Sequence, residues 1–439
     1  MIKDDDVTRT DYLKLLVVIL LTAGPIALAM VLFFVVLKGG TQALWSVVPA
    51  LLPGLDPRIF TVLLGVLAGI AVGFIMRHLG PKDHHALAEG LIRDGQVEHK
   101  GLLGLILGAL VGLAAGASLG PEGPLAHMGG GLASYVGKRL NFSPEKNRVL
   151  SASGIAAIFG GFMGSPMGGA FMSVEFTGLL RFPLYASLVA GVIAALIGNL
   201  VYFAILGTSL AGLYQFNDAQ TLEPIFLLYA FVLGLVGVGM AFVFKLAFNA
   251  MKQLFARLEG KTVLKTTLGG LGFGLIGAFL PLTLFSGEAQ LETVIHDAGE
   301  IGVAVLIVLA LMKLVSLTLC MASGFPGGFI FPVLFSAGAF GAALHLVFPF
   351  VPQYVAVLCL MAGMGGALLR MPFSTILLVG LISSPAFIPI LIIAAFTGFL
   401  AAGYLNAGSA RQAYSESEGS RATPSVAPAD VKPSVAPAA

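Results

Sequence analysis

One carboxylate stands alone in the stretch "GASLGPEGPLAHMGGG", Gly116–Gly131, where it lies between two Gly-Pro pairs. Between Gly101 and Pro144 no other acidic residue occurs than Glu122. An unpaired charge in apolar surroundings is costly, so it is kept for work rather than for packing. A lone carboxylate among glycines can act as a tethered anion that is released on protonation. Glu175, in "SPMGGAFMSVEF", is the other acid embedded in an apolar run. His127 follows Glu122 by five residues and is read as a proton partner or as a helix histidine satisfied locally. His84 and His85 are adjacent, and neighbours in sequence do not share a helix face, so a polar loop is expected there rather than a metal site. Cys320 and Cys359 lie in apolar runs without metal spacing and read as unpaired core thiols. Lys313 and Arg370 read as cations snorkelling to an interface or lining a vestibule. From Ile301 to Ser415 there is no acidic residue, and no cluster of nucleophiles, metal ligands or paired carboxylates appears. An enzyme would need such a cluster, so neither catalytic residues nor a cofactor or metal is expected.

Helix starts are the elements that must position Glu122. The segments "GPEGP", Gly120–Pro124, and "GGFIFP", Gly327–Pro332, each set glycines just before a proline. Proline suits the first turn of a helix, because its missing N–H would be unpaired there. The glycines leave neighbouring N–H groups accessible, at a terminus carrying about half a positive charge. Neither segment holds Lys or Arg. Two such termini meeting in apolar surroundings would form an anion site from backbone dipoles alone, and such a site discriminates weakly among monovalent anions. Glu122 would occupy that site until protonated.

The two segments head a repeat. From Pro124 to Pro166 is 42 residues and from Pro332 to Pro372 is 40, and "ASLG" and "ASGF" open the two units. Paired broken helices at corresponding places mark a transporter built from two repeats. Composition sets the medium: of 439 residues 57% are hydrophobic and 10% charged, against roughly 25% charged in soluble domains. The chain is expected to be an all-α polytopic membrane protein, since helices satisfy their own backbone in a bilayer. Leu15–Leu37, Ile59–Met76, Phe226–Phe248 and Ile301–Ala322 are long enough to span one. A net charge of +2 argues against nucleic acid as a partner. The expected organisation is a polar N-terminal cap over 1–13, a first membrane half over 14–250 and a polar linker over 251–266. A second half over 267–406 and a disordered tail over 407–439, rich in Ser, Pro and Ala, complete it.

These residues carry a family resemblance. "GPEGP" resembles the G(K/R)EGP motif of the CLC chloride channels and chloride/proton antiporters, and "GGFIFP" is similar to their G-x-F-x-P segment. "SPMGGAFMSVEF" and "RMPFSTILLVGL" resemble the helices that follow each. The chain is identified as a divergent, prokaryotic-type member without regulatory domains, the resemblance covering roughly residues 60–403. It implies two inverted-topology repeats whose broken helices meet at a midplane anion site. It also implies a homodimer, a place in the cell membrane (the inner membrane in a Gram-negative bacterium), and transport of chloride or a similar small anion. A voltage-gated-type chloride channel, its pore gated by a glutamate side chain, is the leading expectation, a chloride/proton antiporter the alternative, and a fluoride or other anion exporter a third. By the match Glu122 is the gate, Gly120, Gly123, Gly328, Phe329 and Ile330 hold the anion, and Tyr404 stands nearest to the family's pore tyrosine. Glu175 falls on the first of two positions that are both Glu in proton-coupled bacterial members. It is read as structural or as part of a proton path, and the second, proton-relaying position is Phe176. The basic residue before the gate is replaced by Pro121. The family's GSGIP segment falls near "GPKDHHALAEG", Gly80–Gly90, which has no Ser.

Overall fold

The computed structural model describes residues 9–81, 97, 100–177, 184–207, 210–216 and 222–421. Those residues are almost entirely helical, as a chain without water to satisfy its backbone must be. Eight helices among them are long and apolar enough to cross a membrane. The first group is α1 (Arg9–Gln42), α2 (Pro57–Leu79), α3 (Leu102–Ala114), α4 (Glu122–Arg139), α5 (Pro144–Met163), α6 (Pro166–Thr177) and α7 (Leu184–Leu206). The second is α8 (Ile225–Ala256), α9 (Thr262–Phe279), α10 (Glu288–His296), α11 (Val303–Ser323), α12 (Ile330–Val347), α13 (Gln353–Leu369), α14 (Pro372–Ile382) and α15 (Ile388–Arg421). Local chemistry sets the ends. Asp56 accepts from the Arg58 amide at 2.7 Å and Pro57 opens α2, while α5 begins behind the Ser143 cap and closes on Gly164 at φ 78°.

The packing repeats. In the first group α5 lies against α1, α4, α6 and α7, and α3 links α2 to α4. In the second α13 lies against α8, α12, α14 and α15, and α11 links α9 to α12. Replacing α1–α7 by α8, α9, α11, α12, α13, α14 and α15 maps one set of neighbours onto the other. Three contacts join an element to its own counterpart: α2 with α9, α6 with α14, and the bridge between Gly120 and Gly328. The fold is thus two repeats of broken helices. By this pairing α8 is the counterpart of α1, and it runs to Ala256, into the stretch 251–266 expected as a polar linker.

The central helices are buried on all faces: α5 from Leu150 to Met163, α13 from Tyr354 to Ala367. Where α2 meets α9, Gly65, Gly69 and Gly73 recur every four residues. A methyl on Gly69 would lie 2.5 Å from the Thr266 carbonyl oxygen, and one on Gly73 would lie 2.7 Å from Val263 Cα. Backbone-to-backbone approach of this kind is how helices pack tightly where no hydrophobic driving force separates them from lipid.

At the ends two expectations shift. Helix α1 already begins at Arg9, within the stretch expected as a polar cap, and residues 1–8 lie outside the described residues. Helix α15 continues to Arg421, through the first half of the stretch expected to be disordered. Ala, Ser, Glu and Gln are compatible with a helix, and Pro424 is the first residue after it that is not.

Candidate functional site

The starts of α4 and α12 face each other in the same register. Glu122 and Ile330 are the first helical residues, Pro124 and Pro332 the third, and Gly120 and Gly328 stand two residues ahead of each start. The two glycines exchange both backbone hydrogen bonds: Gly120 N–H donates to Gly328 O at 2.9 Å, and Gly328 N–H to Gly120 O at 2.7 Å. This antiparallel bridge ties the two helix starts together and aims both positive ends at one spot.

Glu122 fills that spot. Its side chain is 3% exposed, and Oε1 accepts from the Ile330 amide at 2.6 Å and the Phe331 amide at 3.4 Å. Oε2 is buried without a hydrogen-bond partner. A methyl on Gly120 would overlap Oε2, and one on Gly328 would overlap the Glu122 carboxyl carbon, so the missing side chains are the room the carboxylate occupies. No cation bonds it among the described residues. Burying a carboxylate costs several kcal/mol. Each charge-assisted hydrogen bond returns about 1.5–3 kcal/mol and each helix terminus up to about 2 kcal/mol. These terms are of similar size, so the carboxylate is held but not locked. A diffusible anion placed on the Ile330 and Phe331 amides would meet the same donors.

The amides that reach the carboxylate are those of Ile330 and Phe331, and Ile330 is one of the two residues whose amides are expected to hold an anion. Phe329 is the residue before the helix, and its ring stacks on Phe244 with centroids 6.3 Å apart. The signal for Phe331 was present in the sequence, since Pro332 has no N–H and the two residues before it are the last free donors. Gly123 closes the other side: a methyl there would lie 2.9 Å from the Gly327 carbonyl oxygen.

Other candidates lie elsewhere. His127 Nδ1 is 3.0 Å from the Gly123 carbonyl oxygen of its own helix. Glu175 caps the start of α14, where its Oε1 accepts from the Phe373 amide at 3.2 Å. Its Oε2 accepts from the Ser374 amide at 2.7 Å and also from the Ser374 hydroxyl. The Phe176 side chain and residues 82–96, which include His84 and His85, lie outside the described residues. Tyr404, on α15, is 83% exposed. Arg370 is exposed, but Lys313 overturns its reading as a snorkelling cation. It is fully buried, its Nζ donating to the carbonyls of Thr283 (3.0 Å), Leu284 (3.2 Å) and Phe285 (2.7 Å). Three carbonyls converge there because the chain turns sharply before α10, with Phe285 at φ 60°, a geometry no sequence pattern announces. Cys320 and Cys359 are buried free thiols.

Comparison with known proteins gives the same picture. Residues 68–403 match the family model described as voltage gated chloride channel. The ion-transport protein YfeO of Escherichia coli (strain SE11) is 31% identical over 364 residues, 78% of this chain and 82% of that protein. YfeO of Salmonella paratyphi A is 30% identical over 337 residues, covering 74% and 78%. Among solved structures, a CLC-type fluoride/proton antiporter superposes with a TM-score of 0.76 at 19% identity, covering 90% of this chain and 96% of that one. A slow cyanobacterial Cl−/H+ antiporter superposes with a TM-score of 0.75 at 21% identity, covering 89% and 95%. Opposed helix starts, a repeated packing plan and a family match over most of the chain agree, and this protein belongs to the CLC family of membrane anion transport proteins.

Proposed function

We propose that this protein moves chloride and similar small monovalent anions across the cell membrane, with Glu122 as the gate. One observation carries this reading: the Glu122 carboxylate rests on the Ile330 and Phe331 amides, with no cation bonded to it among the described residues. A group built to hold a tethered anion by backbone dipoles holds a diffusible one once the tether leaves. Protonation removes the charge that keeps Glu122 there, so anion flux should rise as pH falls.

Transport by this reading is uncoupled conduction. Glu175 commits both carboxylate oxygens to the start of α14 and so serves as a cap between the repeats. The next position is a phenylalanine, which cannot carry a proton. Antiport is the second reading, favoured by the similarity in fold to structures titled chloride/proton and fluoride/proton antiporters. The family resemblance supports a homodimer with one pathway in each subunit.

Purified protein in liposomes decides between the readings. With a chloride gradient imposed and internal pH followed, the wild type should release chloride faster at acid pH without sustained uphill proton movement. Glu122→Gln, a mimic of the protonated gate, should conduct with no response to pH. Uphill proton movement abolished by Glu122→Gln would make the protein an antiporter, and a variant with the wild-type pH response would remove Glu122 from the gate.

A further inference from the structure

Between α8 and α15 the surface opens into a groove of about 420 Å³. Phe231 and Leu235 of α8 line it on one side, and Ile392, Phe396, Leu400 and Ala401 of α15 on the other, with Thr397 the polar residue among its walls. Phe231, Leu235, Ile392 and Leu400 are exposed, and both helices belong to candidate membrane spans. Bilayer hydrocarbon holds no water, so what fills an apolar recess there is an acyl chain. The groove also has a direction. At the start of α13 the ring of Tyr354 stacks on Phe387, just ahead of α15, with centroids 5.0 Å apart. It meets Phe226, at the start of α8, edge-on at 6.1 Å. The three helices therefore begin at one face of the molecule, and Arg370, the capping residue of α13, stands towards the other. One terminal nitrogen of Arg370 lies 3.7 Å from where a methyl on Gly403 would be. The α15 wall runs roughly 12 Å from Ile392 to Leu400, and Gly403 is roughly 4.5 Å further along the axis. The span itself ends at Tyr404, an exposed tyrosine of the kind that settles at the headgroup level. An apolar groove thus leads out of the hydrocarbon and ends beside a guanidinium.

Arg370 itself asks for a reason. It caps α13 at φ 57°, the left-handed conformation in which helices usually end on glycine, and an arginine there carries backbone strain that glycine would avoid. Its side chain is exposed, and no carboxylate is bonded to it among the described residues. A guanidinium pairs with a phosphate through two parallel N–H donors, a match that the planar fork favours.

We propose that the groove and Arg370 together bind one phospholipid with an anionic headgroup, an acyl chain lying between α8 and α15 and the phosphate resting on the Arg370 guanidinium. Charge selects the headgroup. A zwitterionic lipid brings an ammonium that competes for its own phosphate and needs a carboxylate to receive it. Neither α8 nor the chain from Ile301 to Ser415 carries an acidic residue. A headgroup whose phosphate is its only charge, such as phosphatidylglycerol, meets no such conflict. The site uses none of the residues that hold Glu122, so it stands whatever the protein transports.

The test titrates the purified full chain in detergent with phosphatidylglycerol, phosphatidylcholine and inorganic phosphate, reading bound lipid by native mass spectrometry and stability by thermal unfolding. The wild type should retain phosphatidylglycerol at least about tenfold more tightly than phosphatidylcholine and be stabilised by it, with no response to inorganic phosphate. Glycine adopts φ 57° freely, so Arg370→Gly should fold as the wild type does and yet lose that preference. Arg370→Lys, which keeps the charge without the fork, should retain part of it. Ala401→Phe, which fills the groove and leaves Arg370 in place, should weaken retention of phosphatidylglycerol at least about tenfold. Lys252→Gln, an exposed cation of α8 beyond the groove, should change nothing. Equal retention of the two lipids by the wild type, or of phosphatidylglycerol by the wild type and Arg370→Gly, overturns the proposal. Undiminished retention in Ala401→Phe overturns it as well, since the headgroup would then bind with no chain in the groove. Stabilisation by inorganic phosphate equal to that by the lipid would mark a free-anion site. Dissociation of a dimer by Ala401→Phe with lipid retention intact would give the groove to a second copy, and either result overturns the lipid site.

Discussion

A carboxylate with no counter-cation stays in a dry site only while backbone donors face it and no side chain competes for its space. Both conditions meet at Glu122, and the second is the easier to disturb. A methyl on Gly120 would overlap Oε2, the free end of a flexible side chain, so the cheapest relief is for the carboxyl to swing off the amides. Gly120→Ala should therefore behave as a partly open gate. Chloride efflux at neutral pH should rise severalfold towards the Glu122→Gln level, with most of the pH response lost and little change in folding. Efflux and pH response equal to wild type would show that the carboxylate does not occupy the cradle between Gly120 and Gly328.

Between helices the decisive feature is backbone proximity. Along α2 and α9 glycines are spaced so that one helix lies on the other's carbonyls, and the obstacle to a methyl at Gly69 is Thr266 backbone, which cannot step aside. Gly69→Ala should separate the two helices and destabilise the protein by about 1–3 kcal/mol. Gly239 is the control: it is exposed on α8 and a methyl there meets nothing within 4 Å. Gly239→Ala should be neutral or stabilising by up to about 1 kcal/mol, through helix propensity alone. Unfolding in detergent measures both, and equal stability of the two variants would remove the seam from the account. Glu175 works at the same scale, as a side chain of one repeat that caps a helix of the other.

Across the whole molecule, the site belongs to neither repeat alone. Glu122 comes from α4, its amide donors come from α12, and Gly120 must pair with Gly328 for the two starts to face each other. A chain ended after α7, at Leu206, should therefore give no pH-gated chloride efflux in liposomes, less than about 1% of the full chain. Gated efflux from that half would mean that the second repeat supplies no part of the site. The same exchange of neighbours sets α8 with the second group of helices, beyond the polar stretch of residues 207–224.

Several of these conclusions are local and were legible in the amino-acid order. Apolar runs of spanning length dictate helices, because lipid offers the backbone no partner. Gly-Pro clusters dictate where helices begin, because proline lacks the N–H and glycine lacks the obstructing methyl. An isolated Glu122 among them marks the site, since an unpaired charge survives in such surroundings only where dipoles receive it. What the order could not state is which distant groups meet. That Glu175 ends on α14 follows from how the two repeats dock. So does the burial of Lys313 among three carbonyls. Those outcomes depend on contacts between residues tens to hundreds of positions apart, which helical periodicity within one segment does not encode; only the tertiary structure decided them.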